Sequence, residues 1–179
     1  MAVPEAPLRS TKFGLVADVD GWFVLNARDS RWRDYGPLGM GCNFEGKRPF
    51  RQLGINLNVL EPGEPLGLYH RENKQEGFLV LSGECLLLVE GEERLLKTWD
   101  FFHCPAGTRH VIVGAGDGAS VVLAVGARGG RRGLVYEVAD AALQHGAGVD
   151  RETTKYREAY ARFPAPTRAT YGEGWLPDL

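Results

Sequence analysis

No apolar run in this 179-residue chain approaches the ~20 residues that a helix needs to cross a bilayer, so the sequence offers no membrane-spanning helix. Basic charge is not in excess: 21 Lys and Arg stand against 23 Asp and Glu, a formal net charge of −2. That balance gives no electrostatic ground for holding nucleic acid or an anionic membrane. The densest basic cluster, Arg128-Gly129-Gly130-Arg131-Arg132, has no aromatic residue between its charges for base stacking and reads as a solvated turn. Cysteine is scarce. Cys42, Cys85 and Cys104 are odd in number and lack CxxC spacing, which argues against a disulfide framework and for a reducing compartment. Met1 to Pro7 carry an acid and prolines where a signal peptide needs a basic and then an apolar stretch. Low-complexity tracts and internal repeats are missing too. These absences predict a soluble, cytoplasmic protein.

What is present is β-sequence. The 24 glycines favour many tight turns, and a chain of this size suits one main domain that buries roughly 70% of its unfolded surface. Residues 1–50 read as an arm with one or two strands, Gly21–Asn26 the best candidate, and residues 31–50 as an ordered loop. From about Arg51 short β runs alternate with turn signals, the texture of a sandwich or barrel. Leu53, Ile55, Leu57 and Val59 alternate onto one face. Cys85–Val89 and Arg94–Leu96 flank Glu90-Gly91 as a hairpin. Residues 51–138 are therefore expected to form the barrel and residues 139–179 a short helical extension with a tail. Within it Asp140–His145 read as a turn of helix capped by Asp140 and stopped by Gly146. Tyr156, Tyr160 and Phe163 make an aromatic stripe at i, i+4 and i+7 of a second helix, expected to pack on the barrel exterior.

Two segments carry chemistry. In the first, His70 and Glu72 share one face of an extended strand, and Glu76 opens the next strand across the Asn73-Lys74 turn. In the second, Pro105-Ala106-Gly107 makes a tight turn that delivers His110 at the head of a strand. If the sheet curls into a small barrel, two imidazoles and one or two carboxylates meet inside. Such a set suits a first-row divalent ion (Zn, Fe, Mn or Ni), and two His with one carboxylate leave positions open for water, O₂ or substrate. A shifted frame would aim Tyr69 and Arg71 inward instead. Ile55, Leu57, Phe78, Val80 and Phe102 are expected to set the interior volume.

At these residues the sequence resembles the cupin family. Glu76 followed by Gly83 matches the latter half of that family's first motif, and Pro105-Ala106-Gly107-Thr108-Arg109-His110 matches the second without gaps. The likeness covers about residues 52 to 127. It implies an all-β, double-stranded β-helix (a jelly roll) with a metal near one mouth of the barrel, and frequently a homodimer. Three positions depart from the pattern: Glu72 replaces the second histidine of the first motif, Trp99 stands where glycine commonly precedes Asp100, and Gly114 stands where asparagine often closes the second motif. The expected ligands are His70, Glu72, Glu76 and His110, with whichever carboxylate does not ligate, Glu72 foremost, as the candidate catalytic base. The functional expectation is a metal-dependent enzyme acting on a small polar metabolite. The alternatives are a non-catalytic binding or sensing module and a metal-free structural barrel. A homodimer is expected, with the N-terminal arm or the segment Tyr171–Pro177 covering exposed surface there or on the chain's own barrel.

Overall fold

The alternating runs pair into antiparallel ladders. In a computed structural model that describes residues 1–46, 48–130 and 133–177, the strands are β1 (Leu8–Thr11), β2 (Gly14–Ala17), β3 (Trp32–Asp34), β4 (Met40–Cys42), β5 (Leu53–Leu60), β6 (His70–Arg71) and β7 (Glu76–Ser82). They continue as β8 (Glu84–Val89), β9 (Glu92–Lys97), β10 (Phe101–Cys104), β11 (His110–Ala115), β12 (Ser120–Ala127), β13 (Val135–Tyr136) and β14 (Thr167–Ala169). Two short helices, α1 (Asp140–Gln144) and α2 (Tyr156–Ala159), lie between β13 and β14. The protein is an all-β double-stranded β-helix with an N-terminal arm and a short helical C-terminal extension.

Two sheets face each other. One runs β10-β7-β12-β5-β4-β3-β14 and the other β13-β6-β11-β8-β9, while β1 and β2 form a separate ribbon. Between the large sheets Leu60, Phe78, Val80, Cys85, Leu87, Cys104, Ile112, Val122 and Ala124 make the central core. A second layer covers the outer face of β5 and β12, where Leu57, Val59 and Val121 pack with Trp32 and Cys42. The tail joins this layer. Trp175 stands edge-on to Trp32 with ring centroids 5.2 Å apart, and Tyr171 lies 6.0 Å from the same indole. The segment from Tyr171 thus packs on its own chain. All three cysteines are buried and free, and no helix among the described residues is long and apolar enough to cross a membrane.

Several local expectations need correction. Gly21–Asn26 is not a strand; only Trp22 engages, in an isolated parallel bridge to Glu5. Residues 31–50 hold β3, a 3₁₀ turn at Gly36–Leu38 and β4, so the arm extends the barrel's larger sheet. The second helix is only α2, four residues long, and α1 is preceded by Ala139 with no side-chain cap. Within the basic cluster, Arg131 and Arg132 lie outside the described residues. Arg128 is no solvated charge, since its Nη1 donates to Glu45 Oε1 at 2.5 Å and to the Phe50 carbonyl at 2.7 Å.

Candidate metal centre

His70 and His110 are direct partners across the β6–β11 ladder, so their side chains leave the same face of one sheet side by side. Their ring centroids lie 4.9 Å apart. Glu76 comes from the facing sheet, at the head of β7, where it pairs with Cys104 and Gly126. The site therefore spans the gap between the two layers.

Hydrogen bonds to main chain orient both imidazoles. His70 Nδ1 sits 2.7 Å from the Leu68 carbonyl and His110 Nδ1 sits 3.1 Å from the Thr108 carbonyl. A carbonyl only accepts, so each Nδ1 carries the hydrogen and each Nε2 keeps its coordinating lone pair in the neutral ring. Those two Nε2 atoms converge on one oxygen: Glu76 Oε2 is 3.4 Å from His110 and 3.9 Å from His70. All three donor atoms lie within 4.8 Å of one another. Around an ion with bonds of about 2.1 Å, ligand atoms sit roughly 3–3.5 Å apart. The trio fits a divalent first-row ion after a small inward movement of His70.

The surroundings of His110 are close-packed. Phe78 and Phe102 stand 5.3 and 5.8 Å from its ring, and Cys104 Sγ lies 3.4 Å from Nδ1. Burial lowers the His110 pKa, but the hydrogen bonds and charges of Cys104 and Glu76 together outweigh it and raise the value to about 10. Without an ion, this balance favours the protonated imidazole beside Glu76.

Glu72 is not in this set. It is buried, yet its carboxylate does not join the three donors and it does not line the adjoining cavity. The reason is the length of β6, which ends at Arg71, so the chain bends before strand alternation can return Glu72 to the inner face. Its main chain still matters: the Glu72 carbonyl accepts the Gly107 N–H at 2.7 Å and ties the first segment to the turn before His110. Tyr69 packs outside the central core, among Leu88, Val111 and Val113 of its own sheet, and Arg71 pairs with Glu137 at 2.5 Å. Arg109 also bonds Glu137, and His103 is exposed.

The trio lies in the wall of a cavity of about 290 Å³. Phe78 lines it as expected, but Ile55 and Leu57 do not; β5 turns Asn56 and Asn58 toward it instead. Asn43, Tyr35 and Leu38 come from the arm, and Tyr136, Tyr156 and Tyr160 from the C-terminal side. Sequence reasoning missed these residues. For Asn56 and Asn58 the signal was present, as two amides spaced by two within an otherwise apolar strand.

Residues 56–126 match the family model described as a cupin domain. The chain carries a cupin domain. Similar solved structures include a putative sugar phosphate isomerase from Acidithiobacillus ferrooxidans, 27% identical over 54% of this chain and 62% of that one, with a TM-score of 0.49. A sugar phosphate isomerase of the cupin superfamily from Silicibacter pomeroyi is also 27% identical, over 57% and 62% of the two chains, with a TM-score of 0.47. KdgF from Halomonas sp. is 22% identical over 55% and 88%, with a TM-score of 0.46. The match spans 62% of the length of each of the first two. No curated protein sequence matches. The cupin resemblance read from Glu76, Gly83 and the Pro105–His110 turn is upheld by the family match.

Proposed function

We propose that this cupin protein is a metal-dependent enzyme acting on a small polar metabolite, with a divalent first-row ion held by His70, Glu76 and His110. The supporting observation is the convergence of two Nε2 lone pairs, each fixed by a main-chain carbonyl, on one Glu76 oxygen at a cavity wall. An ion with three protein ligands retains open positions and, when bound, acts as a Lewis acid toward a carbonyl or hydroxyl oxygen or activates water or O₂. The chain's own residues supply the rest. Leu68 and Thr108 carbonyls hold the imidazoles in one tautomer, Phe78 and Phe102 keep bulk water from His110, and the open side admits a metabolite. Glu72 acts in this reading as a positioning residue, through the carbonyl that anchors Gly107. The protein is further proposed to be a cytoplasmic homodimer, which its mass in dilute solution tests.

Elemental analysis of protein never exposed to chelator or nickel resin tests the ion directly. Stoichiometric metal that disappears in His110→Ala supports the site, and metal-free protein refutes it. Turnover of a panel of sugars, diketones and amino-acid derivatives by Fe(II)-, Mn(II)-, Ni(II)- or Zn(II)-loaded protein then tests the chemistry. Thermal stabilisation by a panel member that is not consumed would instead make the protein a binding module.

A further inference from the structure

Around the metal trio the cavity wall carries neutral polar groups and flat rings among aliphatic residues such as Leu38, Leu66 and Leu134, and those polar groups and rings select a ligand. Asn56 and Asn58 project from β5, and Asn43 follows β4. The Asn43 Oδ1 accepts the Glu45 N–H at 3.2 Å, which leaves amide hydrogens at Nδ2. Tyr156 and Tyr160 stack with centroids 4.3 Å apart, Tyr160 stands edge-on to Tyr136 at 5.7 Å, and Tyr35 closes the same rim from the arm. Burial pushes the Tyr35 phenol up from its ordinary value, so it stays a neutral hydroxyl. Among the described lining residues there is no lysine or arginine, and the one carboxylate, Glu76, belongs to the trio.

We infer that this site takes a neutral polyhydroxylated ligand, an unphosphorylated sugar or polyol, gripped by the Asn43, Asn56 and Asn58 amides and covered by Tyr35, Tyr156 and Tyr160. Amides both donate and accept, which suits hydroxyls that do the same. Aromatic faces cover the C–H side of a sugar ring. A phosphate monoester would bring up to about two negative charges, and beyond the trio no described lining side chain is a cation that would pair with them. The volume of about 290 Å³ lies just under the roughly 300–1,000 Å³ usual for ligand pockets, so the ligand is small. Asn56 and Asn58 apart, the wall named in this inference lies outside residues 56–126 that match the cupin domain. The domain supplies the trio, and the arm and extension supply selectivity.

Arg157 is the nearest test of this idea, because it lines an adjoining groove that shares Tyr35, Leu38, Tyr156 and Tyr160 with the main cavity. An anionic ligand would have to reach it past the tyrosines.

The inference rests on the proposed metal site only for the ligand's inner end, and the experiment separates the two. Full-length protein, Mn(II)-loaded and metal-free, is titrated by calorimetry with D-ribose, D-glucose, D-fructose, xylitol and sorbitol, and with the monophosphates of the three sugars. At least one neutral compound is expected to bind at least tenfold tighter than any of the monophosphates. Tyr156→Ala, at a residue 55% exposed, and Asn56→Ala are each expected to weaken that binding at least fivefold with metal content unchanged. A monophosphate that binds as tightly as its parent sugar, or binding lost in Arg157→Gln but kept in Tyr156→Ala, would overturn the inference. So would the absence of binding by every neutral compound to either form. Failure of the metal reading shows separately, as protein that takes up no Mn(II) by elemental analysis.

Discussion

Glu137 bridges Arg71 of β6 and Arg109, the residue just before β11: Arg71 Nε donates to its Oε1 at 2.5 Å and Arg109 Nε donates to its Oε2. Arg71 lies next to His70 and Arg109 next to His110, so this outer clasp holds β13, β6 and the start of β11 in register behind the trio. Burial alone would raise the Glu137 pKa, but Arg109 and Arg71 bring it below the usual carboxylate value. A depressed folded pKa stabilises the protein above the unfolded value of about 4.3, and that stability is lost as pH falls through the folded value. Glu137→Gln is expected to cost about 1 kcal/mol at neutral pH and to flatten the acid limb, as read by urea unfolding between pH 3 and 7.

For His110 the sign reverses. Its metal-free folded value of about 10 exceeds the unfolded value of about 6.5. The stabilisation is complete below about pH 6.5 and disappears as pH rises through about 10. Melting temperature in EDTA is expected to fall across that window, and His110→Gln is expected to abolish the slope. An ion must displace the proton from Nε2, so apparent metal affinity rises by about tenfold per pH unit below the folded pKa. Competition titrations at three pH values check this.

Backbone carbonyls set the imidazole tautomers, so His70→Gln and His110→Gln remove a donor without emptying the space. Each is expected to lower metal affinity by at least 100-fold, as read by equilibrium dialysis. Cys104→Ser, which touches His110 on the Nδ1 side, is expected to cost about 10-fold, the scale of outer partners that orient a ligand.

Trp99 has φ 75 and is 69% exposed, between β9 and β10. The left-handed region costs a side-chain-bearing residue roughly 1–2 kcal/mol, and this is the position where the family commonly has glycine. Trp99→Gly is expected to stabilise the fold by up to about 1 kcal/mol, measured by urea unfolding. A fall in stability would show that the indole makes a contact worth more than the strain.

The sequence was legible where chemistry and local geometry coincide. Pro105, Gly107 and His110 identify their turn because Gly107 needs φ 89 there and His110 opens the following strand. His70 and Glu76 follow from strand spacing across a short turn. Glu72 was misplaced because strand alternation carries only as far as the strand, and β6 stops at Arg71. On β5 the alternation was read correctly but assigned to the wrong layer. Leu57 and Val59 are apolar since the arm and tail cover the outer face of that sheet, a fact held in distant sequence. The inner face could then carry Asn56 and Asn58. Tyr156 and Tyr160 read as an exterior helix stripe, and the short α2 turns them over the cavity instead.

The cavity's three sources emerge in a fixed order during synthesis. Arm, Asn56, Asn58, His70, Glu76 and His110 have all been made before Tyr136, and Tyr156 and Tyr160 come later still. The three candidate donors therefore precede, along the chain, every residue that lines the C-terminal side of the cavity.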